Sequence, residues 1–139
     1  MNDGARIEGL AHVGIAVASL DAAIAHWKKL GFRVTGTETL ESMHVAIAFM
    51  ESRGSTIELL EPTEADSPVG RFLAKRGGGL HHVVFYVRDL EVALSAAEAQ
   101  GLELIDRTPR GGSHGMKIAF LHPRSMGGVL VELCERRKP

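Results

Sequence analysis

The stretch Leu10-Ala-His12-Val-Gly-Ile-Ala-Val17 returns seventy residues later as Leu80-His-His82-Val-Val-Phe-Tyr-Val87. The spacing persists through Leu20 and Leu90, Ile24 and Leu94, and Gly31 and Gly101. Ile47-Ala-Phe49 then matches Ile118-Ala-Phe120, and Ile57-Glu58 matches Val131-Glu132, with small loop insertions taking up the drift. A chain that repeats itself at a fixed period is built from copies of one supersecondary unit, so whatever one half forms the other must form too.

Each copy opens with an apolar strand and enters a helix through an N-cap, Ser19 or Asp89, with Asp21 or Glu91 in the first turn where the helix dipole favours an anion. The apolar stripe is Leu20, Ile24 and Trp27 in the first helix and Leu90, Leu94 and Ala97 in the second; Gly31 and Gly101 supply the stops. Three strand candidates follow in each half: Phe32 to Thr35, Val45 to Met50 and Thr56 to Glu61, then Leu102 to Ile105, Met116 to Leu121 and Val129 to Cys134. Each unit therefore reads β-α-β-β-β, an α+β class. Between the halves, Ser67-Pro68, Phe72-Leu73 and Gly77-Gly78-Gly79 predict a short linker helix with a proline start and a glycine-rich exit. The expected organisation is a single domain over 1–139, with a first module at 7–62, a linker helix at 63–78 and a second module at 79–136.

A chain of 139 residues can bury a sizeable core without disulfides or a structural metal. Sixteen Lys plus Arg against seventeen Asp plus Glu leave a formal net charge of −1. The basic run is confined to Arg136, Arg137 and Lys138, so neither nucleic acid nor an anionic membrane is an expected partner. The lone Cys134 cannot form an internal disulfide, which fits a reducing compartment, and Met1 to Glu8 is too short and polar for a signal peptide. A cytoplasmic location is expected.

Strand alternation then selects four residues. Val13, Ile15 and Val17 share one face of the first strand, leaving His12 on the other; Val83, Phe85 and Val87, together with His81, leave His82 opposite. In the closing strands Glu58 and Glu132 face away from Ile57 and Leu59 and from Val131 and Leu133. If the two sheets curve toward each other, His12, Glu58, His82 and Glu132 converge, two from each copy. A single His or Glu of this kind reads as a half-exposed strand polar residue, but four in register on duplicated strands point to a ligand set. A carboxylate in an apolar strand loses its hydration unless a positive charge compensates it, and a divalent cation does so. Mixed imidazole and carboxylate ligands suit Co, Mn, Ni, Zn or Fe in the two-plus state.

The stretches Ile57-Glu-Leu-Leu-Glu-Pro62, Asp66-Ser-Pro-Val with Phe72-Leu, Gly79-Leu-His-His82, Gly112-Ser-His-Gly115 and Ile118-Ala-Phe-Leu-His-Pro123 leading to Gly128-Val-Leu-Val-Glu132 resemble the vicinal oxygen chelate superfamily, and within it the methylmalonyl-CoA epimerases. The resemblance implies two β-α-β-β-β modules pairing into a curved, cup-shaped mixed sheet with helices outside, and a homodimer. It implies His12, His82 and Glu132 as metal ligands with Glu58 at a position that is Gln in some relatives. The implied reaction inverts the carbon between thioester carbonyl and carboxylate of an acyl-CoA substrate, which wants two opposed acid/base groups. Glu132 is the first choice of base. The second, non-ligating Glu of the family falls here on Ser42; Glu58 is the substitute, followed by the adjacent Glu41 and then His44.

Glyoxalase I, a lactoylglutathione lyase of the same superfamily with a His, Glu, His, Glu metal set, is the alternative activity. A metal-free small-molecule sequestering module is the alternative from another class, and it has no use for four ligands. Gly111-Gly-Ser113-His-Gly115 matches G-x-S-x-G, but an esterase elbow needs a helix after the serine, whereas Met116 to Leu121 reads as strand. That loop is either a hairpin turn or a set of backbone N–H groups near the substrate. Arg107, Arg110, Lys117 and Arg124 are candidates for CoA phosphates and are left unassigned, as are His26, His114 and His122. Trp27 and Cys134 read as core.

Overall fold

The computed structural model describes residues 3–137; positions 1, 2 and 139 of the expected domain, and Lys138 of the basic run, lie outside the described residues. Two compact units divide the chain: His12–His81, and the segment up to Ala11 taken with the segment from His82 onward. The strand β1 (Ile7–Ala16) thus contributes to the first unit from His12, and β5 (Gly79–Val87) to the second from His82. The architecture is α+β with mixed sheets.

In the first unit, β1 is followed by α1 (Leu20–Lys28), β2 (Arg33–Leu40), β3 (Val45–Ser52), β4 (Ser55–Pro62) and α2 (Pro68–Arg76). The strands order as β2-β3-β4-β1, with β1 parallel to β4 and the other pairs antiparallel. The second unit runs β5, α3 (Leu90–Ala99), β6 (Arg110–Gly111), β7 (Lys117–Leu121) and β8 (Val131–Glu135). Its order, β5-β8-β7-β6, again has one parallel pair, β5 with β8, at the same point of the repeat.

Local chemistry explains why both copies start and stop alike. Ser19 Oγ accepts from the Ala22 N–H at 3.2 Å and Asp89 Oδ1 from the Val92 N–H at 3.1 Å, satisfying donors that the first helical turn leaves open. At the other ends Gly31 and Gly101 adopt φ of 95° and 87°, and the chain closes with Phe32 N–H to Trp27 O at 3.2 Å and Leu102 N–H to Ala97 O at 3.0 Å. The predicted stripes pack as expected. Leu20, Ile24 and Trp27 lie on Ala48, Met50, Ile57 and Leu59, while Leu90, Leu94 and Ala97 lie on Ala119, Leu121, Val131 and Leu133. Trp27 meets Phe32 edge-on at 5.3 Å, a core contact.

The linker helix forms as predicted, with Ser67 accepting from Gly70 N–H at 3.1 Å. It packs Val69, Phe72 and Leu73 onto Ala16, Val45, Ile47, Phe49 and Leu60. The first unit's sheet therefore buries apolar side chains on both faces, and Glu58 belongs to the face that α2 covers. His81 meets Phe72 of α2 edge-on at 4.9 Å.

One strand differs from expectation. The stretch Leu102 to Ile105 carries only an isolated bridge, Leu104 to Leu121, and the two-residue β6 follows later. Asp106 is the reason: its Oδ2 takes the Phe120 N–H at 2.9 Å, a donor that a ladder partner would otherwise use, and Pro109 has no N–H to offer. In the first copy the ladder takes a bulge between Val34 and Gly36, where Thr35 Oγ1 donates to Phe49 O at 3.3 Å, yet β2 still runs on to Leu40.

Candidate functional site

In the first unit the parallel register sets Gly14 of β1 opposite Glu58 of β4, so His12 stands two residues before that partner on the same face. His12 Nε2 lies 2.8 Å from Glu58 Oε2. In the second unit Val84 of β5 stands opposite Glu132 of β8, His82 again lies two residues before, and His82 Nε2 is 3.5 Å from Glu132 Oε1. The two halves of the expected ligand set are thus each assembled within their own unit by the same register.

Each glutamate has an aromatic residue on its other side. Phe49 of β3 is the register partner of Glu58, and Phe120 of β7 that of Glu132. The Phe120 ring also meets the His82 imidazole edge-on at 6.0 Å. These two phenylalanines are site residues that strand-face reasoning passed over, although the repeated Ile-Ala-Phe tripeptide carried the signal.

Among the described residues, the carboxylates and imidazoles that are buried belong to Glu58, His82 and Glu132, at 7%, 7% and 8% exposure; the His12 side chain is 17% exposed. Every other described acid and histidine is at least partly open to solvent. An anion removed from water at this depth needs a positive or hydrogen-bonding partner, and both carboxylates have an imidazole Nε2 turned to them. Imidazole nitrogen and carboxylate oxygen are the donors that divalent first-row ions take, so the chemistry of each pair fits half of such a site.

The remaining sequence candidates fall elsewhere. Glu41 and Ser42 are exposed in a 3₁₀ turn, Glu41–Met43, and His44 follows in the left-handed region at φ 53° with Nδ1 3.8 Å from Glu64 Oε1. Gly111 to Gly115 forms a turn in which Gly112 N–H donates to Met116 O at 2.8 Å and Arg137 donates to His114 O. β7 follows the turn, which removes the esterase elbow. Arg124 donates twice to Glu103, at 2.9 and 3.0 Å; that hydrogen bond, ahead of charge attraction, holds the Glu103 carboxyl below its usual range and raises the guanidinium. Burial pushes His81 below the ordinary imidazole value. Cys134 is buried and packs as a small hydrophobe.

Residues 11–120 match the glyoxalase/bleomycin resistance protein/dioxygenase superfamily, and the chain belongs to it. Among its relatives, "Uncharacterized protein YqjC" of Bacillus subtilis (strain 168) is 48% identical over 127 residues, 91% of each chain. The mitochondrial methylmalonyl-CoA epimerase of Dictyostelium discoideum is 38% identical over 130 residues, 91% of this chain and 78% of that one. A variant of Streptomyces coelicolor methylmalonyl-CoA epimerase, solved in complex with 2-nitronate-propionyl-CoA, superposes with a TM-score of 0.89 at 36% identity, over 96% of this chain and 100% of that one. Among the described residues no helix is long and apolar enough to cross a membrane.

Proposed function

We propose that this chain is a methylmalonyl-CoA epimerase, interconverting the R and S epimers by removing a proton from the carbon between thioester carbonyl and carboxylate and returning one to the opposite face. The observation that carries this reading is the pair of His–Glu couples, His12 with Glu58 and His82 with Glu132, built on buried glutamates at equivalent positions of a duplicated fold. The relatives named as epimerases at 35 to 38% identity support the reaction class.

His12, Glu58, His82 and Glu132 would together hold one divalent metal ion. When bound, that ion supplies Lewis-acid stabilisation of the enolate charge that develops on the substrate oxygens. The chain's own residues do the rest. Glu132 takes the proton on one face and Glu58 delivers one on the other, a division of labour that each carboxylate's separate strand permits. Phe49 and Phe120 flank the two acids and keep water from them, which strengthens every charge interaction in their vicinity. No atom is lost or gained overall: one C–H bond breaks, one forms, and the two carboxyl groups exchange their proton with solvent between turnovers.

Incubating the metal-loaded protein with one epimer in deuterated water tests this. Inversion accompanied by label at the substrate carbon is expected, and a folded, metal-loaded sample that exchanges nothing overturns it. A sequestering module predicts tight binding without exchange and no stoichiometric metal in protein purified without chelator. A lactoylglutathione lyase predicts turnover of the hemithioacetal instead.

A further inference from the structure

We infer that Arg110 recognises the free carboxylate of the substrate, a role that rests on the epimerase reading and adds the group that selects a malonyl-type acid over a plain acyl-CoA. The other unassigned cations in this unit sit against carboxylates on the outside: Arg107 at 3.2 Å from Glu98, Arg124 in a fork with Glu103, and Lys117 at 3.7 Å from both Glu91 and Glu135. Arg110 differs in position. It is the register partner of Ile118, and Ile118 and Phe120 share a strand face with Glu132, the register partner of Phe120. Its guanidinium carbon lies 5.2 Å above the Phe120 ring, the same ring that meets His82 at 6.0 Å. One aromatic side chain therefore separates a cation from the buried His82–Glu132 pair.

The guanidinium is also held ready. Its Nε is 3.4 Å from Asp106 Oδ2, which already accepts the Phe120 N–H at 2.9 Å, and its charge lies over the Phe120 ring in cation–π contact. Asp106 thus engages the Nε side and leaves the two terminal Nη groups, the edge that binds a carboxylate bidentately, on a side chain 43% exposed. The position suits the acyl end. A substrate carboxylate is one bond from the carbon being inverted, whereas the nearest phosphate of a CoA ester is a whole pantetheine arm away.

The test measures binding by calorimetry on the metal-loaded protein with three probes: the equilibrated epimers of methylmalonyl-CoA, propionyl-CoA, which lacks the carboxylate, and methylmalonyl-pantetheine, which lacks the phosphates. The native protein is expected to prefer methylmalonyl-CoA over propionyl-CoA. Arg110→Met should weaken methylmalonyl-CoA and methylmalonyl-pantetheine by about 10- to 100-fold, the value of a charge-assisted hydrogen bond, and leave propionyl-CoA unchanged. Arg110→Lys, which keeps the charge and loses the fork, should fall between and guards against a misfolded methionine variant. Equal weakening of both CoA esters with an unchanged pantetheine thioester assigns Arg110 to a phosphate and overturns the proposal, as does a native protein that binds both esters alike. Label exchange in the native protein is followed alongside. Absent exchange with intact discrimination defeats the epimerase reading alone; exchange with discrimination that Arg110→Met does not change defeats the carboxylate role alone.

Discussion

The backbone N–H of Leu20, the first residue of α1, donates to Glu61 Oε1 at 2.7 Å across 41 residues of chain. Its counterpart in the other unit is the Leu90 N–H, 3.0 Å from Glu135 Oε2. Both acids lie three residues after a site glutamate, in Glu58-Leu-Leu-Glu61 and Glu132-Leu-Cys-Glu135. An interval of three sends the two carboxylates of each pair to opposite faces of the strand, one inward to the site and one outward to a helix N-terminus. The outer acid thereby fixes the strand that carries the inner one, and a main-chain bond at the same place, Val17 N–H to Leu60 O at 2.9 Å or Arg136 N–H to Val87 O at 2.8 Å, fixes it again.

Replacing Glu61 or Glu135 by alanine should therefore destabilise the fold by about 1–2 kcal/mol, the cost of losing a helix cap whose donor is part-buried. Glu→Gln, which retains an acceptor, should cost less. Denaturant unfolding of the four variants checks both statements, and alanine variants as stable as the parent would contradict the anchoring role.

Gly70 provides a harder test of how α2 is seated. A Cβ at this position would lie 2.3 Å from Ala65 O and 2.7 Å from Glu64 O, both main-chain atoms that no side-chain rotation moves away. Gly70→Ala should cost about 1–3 kcal/mol, as overpacking does, even though alanine is the better helix former. The loss arises because α2 must shift off Val45, Ile47 and Leu60. A variant that is more stable would mean that propensity outweighs the contact.

The repeat made much of this legible beforehand. His12 and His82 follow from strand alternation once their copies are aligned, and the buried state of Glu58, His82 and Glu132 agrees with the argument that such residues in apolar strands have a reason to be there. Less accessible were the features set by partners distant in sequence. Whether Leu102 to Ile105 forms a strand depends on where the Asp106 carboxylate goes, which no local pattern states. The double burial of the first sheet depends on where α2 docks, and Phe72 and Leu73 look the same in sequence whichever face they cover. Arg110 was one of four equivalent surface cations until the β6–β7 register set it over Phe120.

If His12, Glu58, His82 and Glu132 form one ligand set, metal content should fall when either unit's pair is damaged. His12→Ala and His82→Ala, one from each unit, should each lose the stoichiometric divalent ion on dialysis against a mild chelator that leaves the native protein loaded. Elemental analysis of the dialysed proteins reads this directly, without reference to turnover. Full metal retention by either variant would remove that histidine from the set. Stripping the native protein with a strong chelator should abolish label exchange, and adding back a divalent first-row ion should restore it.

The division of roles between the two glutamates makes the sharpest prediction. An epimerase with one acid on each face loses inversion in both directions when either acid is removed, because inversion needs both. Exchange with solvent is less demanding, since the acid that removes a proton can return a deuteron to the same face. In Glu58→Gln, inversion should fall by about 100- to 10,000-fold, the usual contribution of a positioned acid or base. One epimer should still acquire label at the substrate carbon, because Glu132 continues to deprotonate it, while the other epimer stays unlabelled. Glu132→Gln should give the mirror result, with label entering only the epimer that Glu58 serves. The side chains differ by one atom and stay in the same register positions, so folding is not at stake. If Glu58→Gln inverts the substrate at the native rate, Glu58 is a replaceable ligand, and the second proton must come from a residue outside the two His–Glu pairs.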